Sequence, residues 1–422
     1  MKAYPSYKEY KPSNVDWLGE IPEHWDCWKI SHGYSEMGSG TTPTSDNDAY
    51  YDGNINWVTT SELRENIIVD TAKKVSQDAM RDFSALKKYP SETLLIAMYG
   101  ATIGRLGILG VEATINQACC ALVKSKVFFN PFLFYWFQAY KKTVIILASG
   151  GGQPNISQEK IRSLILPTPP FYEQQMIADF LDRETAKIDS LIKKRNDLIK
   201  LLQEKRSAVI SHAVTKGIDP TVRLKPSNVY WLGEIPEHWK VIPLKYLLCE
   251  KLKYGANELA IDEDETQPRF VRITDISDDG TLRPDTFKSI DIQVAKEYLL
   301  AENDLLFARS GATVGKTFLY QKSWGVTAFA GYLIRARFSL HKANSKFIFF
   351  CTRSSFYWQW IKAATIQATI QNVSAEKYAS FCFPLPSLPE QQKIADFLDR
   401  ETAKIDSLIE KEKKIIEKID RQ

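Results

Sequence analysis

Two mixed α/β (α+β) domains, each followed by a long helix, are the fold that this sequence predicts. Three observations support the prediction: an internal repeat, heptad patterns in two segments, and short β-rich runs bounded by glycine, proline and asparagine. A length of 422 residues exceeds what one hydrophobic core usually organises. An apolar content of 44% and a charged content of 25% are typical of a globular protein with a sizeable core.

The repeat is long and nearly exact. The segment KPSNVDWLGEIPEHW, which begins at Lys11, returns with one difference at Lys225. The segment EQQMIADFLDRETAKIDSLIKK, which begins at Glu173, returns at Glu390 with two differences in 22 positions. The two offsets are 214 and 217 residues. The chain is therefore a tandem duplication, in which a variable domain precedes a nearly constant segment twice.

The repeat sets the expected domain boundaries. They are residues 1–172 for the first domain, 173–216 for the first helix, 217–389 for the second domain and 390–422 for the second helix. Within the domains, ETLLIAMYGATIG (92–104) aligns with NDLLFARSGATVG (303–315), and QPNISQEK (153–160) aligns with IQNVSAEK (370–377). Helices are expected near 132–146 and 344–363, and the strand order is left open.

The constant segments have heptad spacing, which predicts that one apolar face of each helix packs against a partner. The residues expected to pack are Ile177, Leu181, Ile188, Leu191, Leu198, Leu202, Ile394, Leu398, Ile405, Leu408, Ile415 and Ile419. Proline-rich stretches before both segments mark the helix starts, and the first helix is expected to run from Glu173 to Ala213. About 40 helical residues would span roughly 60 Å.

Composition excludes several classes of protein. The most apolar windows contain charged residues, so no membrane span is expected. The amino terminus has no apolar signal core, so a cytoplasmic location is expected. The six cysteines form no CxxC pair, and the five histidines have no metal or triad spacing. A formal charge of +4 permits nucleic-acid binding without arguing for it.

These features together resemble the specificity subunits of type I restriction-modification enzymes over essentially the whole chain. The matching landmarks are WLGEIPEHW at the start of each half, GSGTTP (38–43), WVTTSEL (57–63), GATIGRLG (100–107), NQACCAL (116–122) and EQQxIADFLDxET. The resemblance implies that each domain is a target recognition domain. It also implies that the two helices pack antiparallel and relate the domains by a pseudo-two-fold axis, so that the chain recognises a bipartite double-stranded DNA target with one half-site per domain.

The resemblance further implies partners. Two methylation subunits would dock on the helices and up to two restriction subunits would join them, with S-adenosylmethionine, ATP and Mg²⁺ bound by those partners. No cofactor, metal, membrane contact or catalytic residue is expected on this chain. The second helix stops at Gln422 and has no counterpart of LLQEKRSAVISHAVTKG. Two explanations stay open, that the copy is naturally short or that the chain is truncated, and a short second helix could weaken the second partner site.

Two rival interpretations stay open. In the first, the chain is a protein-binding coiled-coil scaffold without DNA specificity. In the second, SGATVGKT (310–317) makes it an NTP-dependent enzyme, although three residues rather than four separate its glycines, and Arg105 and Leu106 replace Lys316 and Thr317 in the other half. The alternatives for this segment are a glycine turn that carries Arg105 or Lys316 to DNA, and a plain turn in the core.

Base recognition is expected from polar loops that differ between the halves, because phosphate contacts position a protein whereas base edges specify sequence. The candidates in the first domain are Ser39, Thr41, Thr42, Thr59, Thr60, Ser61, Arg105, Gln153 and Asn155. Those in the second are Arg269, Arg272, Thr274, Arg309, Lys316, Gln367, Gln371 and Asn372. His24, Trp25, His238 and Trp239, in the repeated IPEHW, are expected to have structural roles.

Overall fold

The computed structural model describes residues 6–148, 155–261, 264–277, 280–365 and 372–420. The chain divides into two compact units, Met1–Ser190 and Leu191–Gln422. In the described part of the chain, no helix is long and apolar enough to cross a membrane.

The first unit is built on two small sheets. Its strands are β1 (Tyr10–Pro12), β2 (Glu20–Pro22), β3 (Asp26–Lys29), β4 (Met37–Gly38), β5 (Ile55–Val58), β6 (Asn66–Ile68), β7 (Lys74–Val75), β8 (Lys88–Tyr89), β9 (Leu94–Ala97), β10 (Leu106–Leu109), β11 (Ala113–Ile115), β12 (Cys119–Leu122) and β13 (Ile165–Thr168). The larger sheet has the order β4-β12-β9-β10-β6 and the smaller has the order β7-β5-β11-β8. Strand β5 pairs in parallel with β11, and β1-β2 and β13-β3 form separate antiparallel pairs.

The helices of the first unit share hydrophobic cores with its strands. They are α1 (Ile30–Gly33), α2 (Gln77–Asp82), α3 (Asn130–Ala139), α4 (Lys141–Ala148), α5 (Gln158–Ser163) and α6 (Phe171–Lys216), the last of which continues beyond this unit. Phe132, Leu133 and Trp136 of α3 share a core with Leu94 and Ile96 of β9. All four residues of β9 are buried, as expected for an apolar strand covered on both faces.

The second unit repeats the central strand pairings of the first. Its strands are β14 (Leu224–Pro226), β15 (Glu234–Pro236), β16 (Lys240–Pro243), β17 (Lys253–Tyr254), β18 (Arg269–Val271), β19 (Leu305–Ala308), β20 (Thr317–Leu319), β21 (Thr327–Phe329), β22 (Leu333–Ala336) and β23 (Cys382–Leu385). The sheet order β17-β22-β19-β20 matches β4-β12-β9-β10, and the parallel pair β18-β21 matches β5-β11. Its helices are α7 (Ile292–Ala295), α8 (Ser345–Cys351), α9 (Ser355–Thr365), α10 (Ala375–Ser380) and α11 (Leu388–Asp420).

Within the second unit, the final part of α6 packs antiparallel to α11. Arg195 pairs with Glu412, and further along α6 Arg206 donates two hydrogen bonds of 2.8 and 3.2 Å to the carboxylate of Asp406. Residue numbers rise along α6 while those of their partners fall along α11, which defines the antiparallel direction. Near the end of α6 the two helices and the domain share one core, which includes Ile210, Ala213, Val214, Phe347, Ile394, Ala395 and Leu398.

The heptad assignment is wrong at one position of α11. Leu408 was expected to pack, yet it is 48% exposed, whereas its neighbour Ile409 is 7% exposed. The buried positions after Leu398 are Thr402, Ile405 and Ile409. The physical reason is that α11 packs against the domain helix α8 as well as α6, so its buried face is turned relative to a simple two-helix seam.

Three predicted packing residues of α6 are also exposed. Leu191 and Leu198 in the second unit and Ile188 in the first are each more than two-fifths exposed, because the helix turns other side chains inward. The inward side in the second unit contains Arg206 and the fully buried Ile210. The other predicted packing residues are buried at Ile394, Leu398 and Ile405, and half-buried at Ile177, Leu181, Leu202, Ile415 and Ile419.

Candidate nucleic-acid interface

The same glycine turn follows the central strand in each domain. A 3-10 turn at Gly100–Thr102 follows β9, and one at Gly311–Thr313 follows β19. Gly100 and Gly311 have φ values of +79° and +69°, a backbone conformation that glycine adopts far more easily than residues with a Cβ. A Cβ at either position would meet no atom within 4 Å, so backbone conformation rather than space requires glycine. Strand β20 begins at Thr317, so SGATVGKT does not lead into the helix that a phosphate-binding loop requires.

A second segment lies beside each turn. Asn155 forms a bridge with Tyr99, and Asn372 forms the corresponding bridge with Ser310. The next residues add matching hydrogen bonds, from Ile156 N to Met98 O at 2.7 Å and from Val373 N to Arg309 O at 2.8 Å. Asn155 and Asn372 are both exposed. The candidates Gln153, Gln367 and Gln371 lie outside the described residues.

The GSGTTP segment of the first domain is held through its backbone. The carbonyl oxygens of Ser39 and Thr41 accept hydrogen bonds from Tyr89 Oη at 3.0 Å and Trp57 Nε1 at 3.2 Å. Thr42 is exposed, and its hydroxyl donates to the side chain of Gln117. The backbone is thus fixed while the side chain of Thr42 lies at the surface.

The WVTTSEL segment forms a capped turn after β5. Thr59 N donates to Glu62 Oε2 at 2.9 Å, and the Thr59 hydroxyl lies 2.8 Å from the exposed Ser61 hydroxyl. Thr60 is half-buried between them. The structure therefore brings three polar candidates together on one short turn.

The equivalent turn of the second domain uses an aspartate. The fully buried Asp275 accepts hydrogen bonds from Arg272 N at 2.8 Å and from Arg272 Nη2 at 2.8 Å. Thr274 is exposed beside it. The guanidinium of Arg272 is therefore partly neutralised by its own turn.

Arg269 lies in the interior rather than at the surface. Its side chain is 8% exposed, Nη2 donates to Arg283 O at 2.8 Å, and the guanidinium lies over the ring of Phe287. Burial lowers the pKa of this arginine. Its position in β18 directs the side chain into the domain, which argues against a contact with a base.

The cationic residues after the glycine turns remain accessible in part. Arg105 and Lys316 are half-buried at equivalent places, directly before β10 and β20. Lys316 also lines a cavity of about 570 Å³ in the second unit, together with Arg206, Arg353 and Asp406. Arg309, at the end of β19, lies against the rings of Tyr254 and Tyr332.

A junction between each domain and its helix was not predicted from the sequence. Glu173, in the first turn of α6, accepts hydrogen bonds from Trp25 Nε1 at 3.1 Å and Tyr7 Oη at 2.6 Å, and lies 2.9 Å from His24 Nε2. Burial opposes ionisation of Glu173, but the hydrogen bonds from Tyr7, Trp25 and His24 outweigh it and lower its pKa. The signal that could have revealed this contact is that both partners lie in the most strictly repeated segments.

The second half repeats the junction. Glu390 accepts a hydrogen bond from Trp239 Nε1 at 3.0 Å and lies 2.9 Å from His238 Nε2. Trp239 is fully buried in the core that α11 shares with the domain. The repeated IPEHW motif thus fixes each domain to the first turn of the helix that follows it.

The glutamine that follows each of these glutamates binds a second segment of its domain. Gln174 and Gln391 are fully buried. Gln174 Oε1 accepts from Phe129 N at 2.8 Å, and Gln391 Oε1 accepts from Asn344 N at 2.7 Å, in each case just before a domain helix. Each helix start is therefore held between two parts of its domain.

Two domains with one backbone design and different surface side chains, each fixed to a long helix, define a duplicated recognition protein. Residues 33–201 and 236–421 match the family described as the type I restriction modification DNA specificity domain. The chain belongs to this family and contains two copies of its domain. It is a specificity subunit, and the catalytic activities of such systems lie on other subunits.

Curated proteins are similar to this chain in sequence, and solved structures are similar to it in fold. The type I restriction enzyme MjaVIII specificity subunit of Methanocaldococcus jannaschii is 23% identical, over 98% of this chain and 93% of the relative. The EcoBI specificity subunit of Escherichia coli is 24% identical, over 76% and 68%. A chain from a structure on complex assembly and conformational transition of the type I R-M system has a TM-score of 0.72 at 15% identity, covering 95% and 96%. The HsdS subunit from Thermoanaerobacter tengcongensis has a TM-score of 0.57 at 14% identity, covering 94% and 96%.

Proposed function

We propose that this chain recognises a bipartite DNA target, with one half-site contacted by each domain. One observation carries the proposal. The backbone around the glycine turns is the same in both domains, whereas the polar and cationic side chains attached to it differ. A common framework fixes where a domain contacts DNA, and different side chains give each domain its own base preference.

The side chains at this surface divide into two roles. Arg105 and Lys316 follow the turns at equivalent places, and a cation that both domains carry there suits a contact with a phosphate. Asn155, Asn372 and Thr42 are exposed amides and hydroxyls, which suit hydrogen bonds with base edges. Removing Arg105 or Lys316 would weaken binding to all sequences alike, whereas changing the polar residues would change the sequence bound.

The junctions support the proposed division of the chain. A recognition domain would comprise residues 1–172 or 217–389, and the segments 173–216 and 390–422 would be the helices that separate the two readers. Glu173 and Glu390 anchor the domains at the boundaries of these segments. We further propose that the helices, and not base contacts, set the length of the unread gap.

Exposed leucines on the paired helices support a docking role. Leu191, Leu198 and Leu201 on α6 and Leu408 on α11 are each at least two-fifths exposed. Apolar residues at helical spacing on an exposed face are typical of a surface that takes a partner helix. We assign this surface to two methylation subunits, and up to two restriction subunits would join them. These partner subunits would bind S-adenosylmethionine, ATP and Mg²⁺. The complex would act in the cytoplasm, where the target DNA is.

The test is single-molecule methylome sequencing of the host with and without the gene. An interrupted adenine-methylation motif that disappears with the gene is the expected result. An unchanged methylome in cells that express the chain and a methylation subunit would refute DNA specificity and favour a protein-binding scaffold. As a matched test of modularity, exchange of residues 26–172 for those of a relative is expected to change one half-site and leave the other as it was.

A further inference from the structure

Three positions that touch one another differ together between the two domains. Strand register places Tyr254, Arg309 and Tyr332 of the second domain where the first domain has Ser39, Met98 and Ala118. The alignment is supported by Gly40 and Gly255, because a Cβ on either would collide with the same carbonyl, that of Ile115 or its equivalent Phe329. Where the first domain has a serine, a methionine and an alanine, the second domain thus has an arginine between two tyrosines.

The backbone at these positions is the same in both domains. Met98 N donates to Ala118 O at 2.8 Å, and Arg309 N donates to Tyr332 O at 3.0 Å. The carbonyl oxygens of Met98 and Arg309 each accept a hydrogen bond from the residue after the exposed asparagine. The difference between the domains therefore lies in side chains alone. Met98 is buried, whereas Arg309 is partly exposed.

The guanidinium of Arg309 is positioned but not neutralised. Its carbon lies 4.9 Å from the ring centroid of Tyr254 and 5.8 Å from that of Tyr332, within cation–π distance. Among the described residues, no carboxylate lies within ion-pair distance of Arg309 and none of its guanidinium nitrogens makes a hydrogen bond. By contrast, Arg272, Arg335 and Arg337 of the same domain all pair with carboxylates.

We propose that Arg309 recognises a guanine in the half-site of the second domain. A planar guanidinium held by aromatic rings loses little side-chain entropy on binding, and its parallel N–H groups match the O6 and N7 acceptors of guanine. The exposed Asn372 is bridged to the next residue, Ser310, and so lies beside this contact. The inference rests on the proposed function, and it adds that the second half-site contains a required G·C pair which the first domain cannot recognise through Met98.

The experiment compares adenine-methylation motifs in cells that express the chain with its methylation subunit. For wild type, a guanine is expected in the half-site that persists when residues 26–172 are exchanged. Arg309→Met, which installs the first domain's residue, is expected to release that position to any base. Discrimination against the other bases should fall roughly 5- to 150-fold, the range expected for one bidentate contact. Arg309→Lys should also relax the position, though less than Arg309→Met, because an ammonium lacks the planar donor fork that the two tyrosine rings orient.

The control is Arg283→Met, which removes a charge from an exposed residue of the same domain and should leave the motif unchanged. A second half-site without a G·C pair would overturn the inference, as would an Arg309→Met motif identical to wild type. Loss of all methylation in both Arg309 variants, with unchanged thermal unfolding, would also overturn the inference. It would indicate that Arg309 strengthens binding to DNA of any sequence and does not recognise a particular base. Those results leave the bipartite function intact, whereas a wild-type methylome that does not depend on the gene would remove both proposals.

Discussion

Gln391 offers the sharpest test of the junction between the second domain and α11. Its side chain is fully buried, accepts a hydrogen bond from Asn344 N at 2.7 Å and donates one to Pro386 O at 2.9 Å. Gln391→Met keeps the length of the side chain and removes the amide, so a backbone donor and a backbone acceptor lose their partner. At about 1–3 kcal/mol for each, the free energy of unfolding should fall by about 2–6 kcal/mol.

Calorimetry of the full chain would measure this loss. For a unit of this size, about 2–4 °C per kcal/mol gives a decrease in Tm of roughly 4–24 °C. The matched control is Gln392→Met, the same substitution one residue on, where the exposed side chain should cost less than about 1 kcal/mol. Equal effects of the two substitutions would refute the argument that Gln391 fastens the domain to its helix.

Two further predictions concern the first junction and the docking face. Hydrogen bonds lower the pKa of Glu173, so the ionised carboxylate contributes stability that is present above its unfolded pKa and is lost as pH falls through the lower folded pKa. In thermal unfolding, the destabilisation by Glu173→Gln should therefore be full at neutral pH and should shrink as the carboxylate is protonated in acid. A constant difference would contradict this. Leu408→Lys should abolish co-purification with a methylation subunit and leave the Tm unchanged, because Leu408 is exposed. Ile409→Lys should unfold the helix pair, because it buries a charge. If Leu408→Lys lowered the Tm and left co-purification intact, the docking face would lie elsewhere.

The two helices were predictable because their signal is local and repeated. The first was expected from Glu173 to Ala213 and is observed at Phe171–Lys216, since the proline-rich start and the glycine at its end act on neighbouring residues. The buried side of α11 was not predictable at Leu408, because the heptad rule assumes one partner helix and α11 also packs against α8.

The candidate interface was predicted in part. Thr59, Thr60 and Ser61 lie on one turn because they are neighbours in the sequence. Asn155 lies beside the glycine turn through a bridge to Tyr99, 56 residues earlier, which no local pattern predicted. Arg269 was proposed for its residue type, which does not reveal the direction of a side chain in a strand that is buried on both faces. Direction depends on the register of β18 against β21, and that is a long-range property.

The sequence by itself determined the duplication, the helices and the family resemblance, since each of these depends on residues that are close together or copied exactly. Only the tertiary structure decided which residues meet: Glu173 with Trp25, Gln391 with Asn344, and Arg309 with two tyrosines. Those contacts join segments separated by tens to more than a hundred residues, and strand register and packing, rather than any local pattern, bring them together.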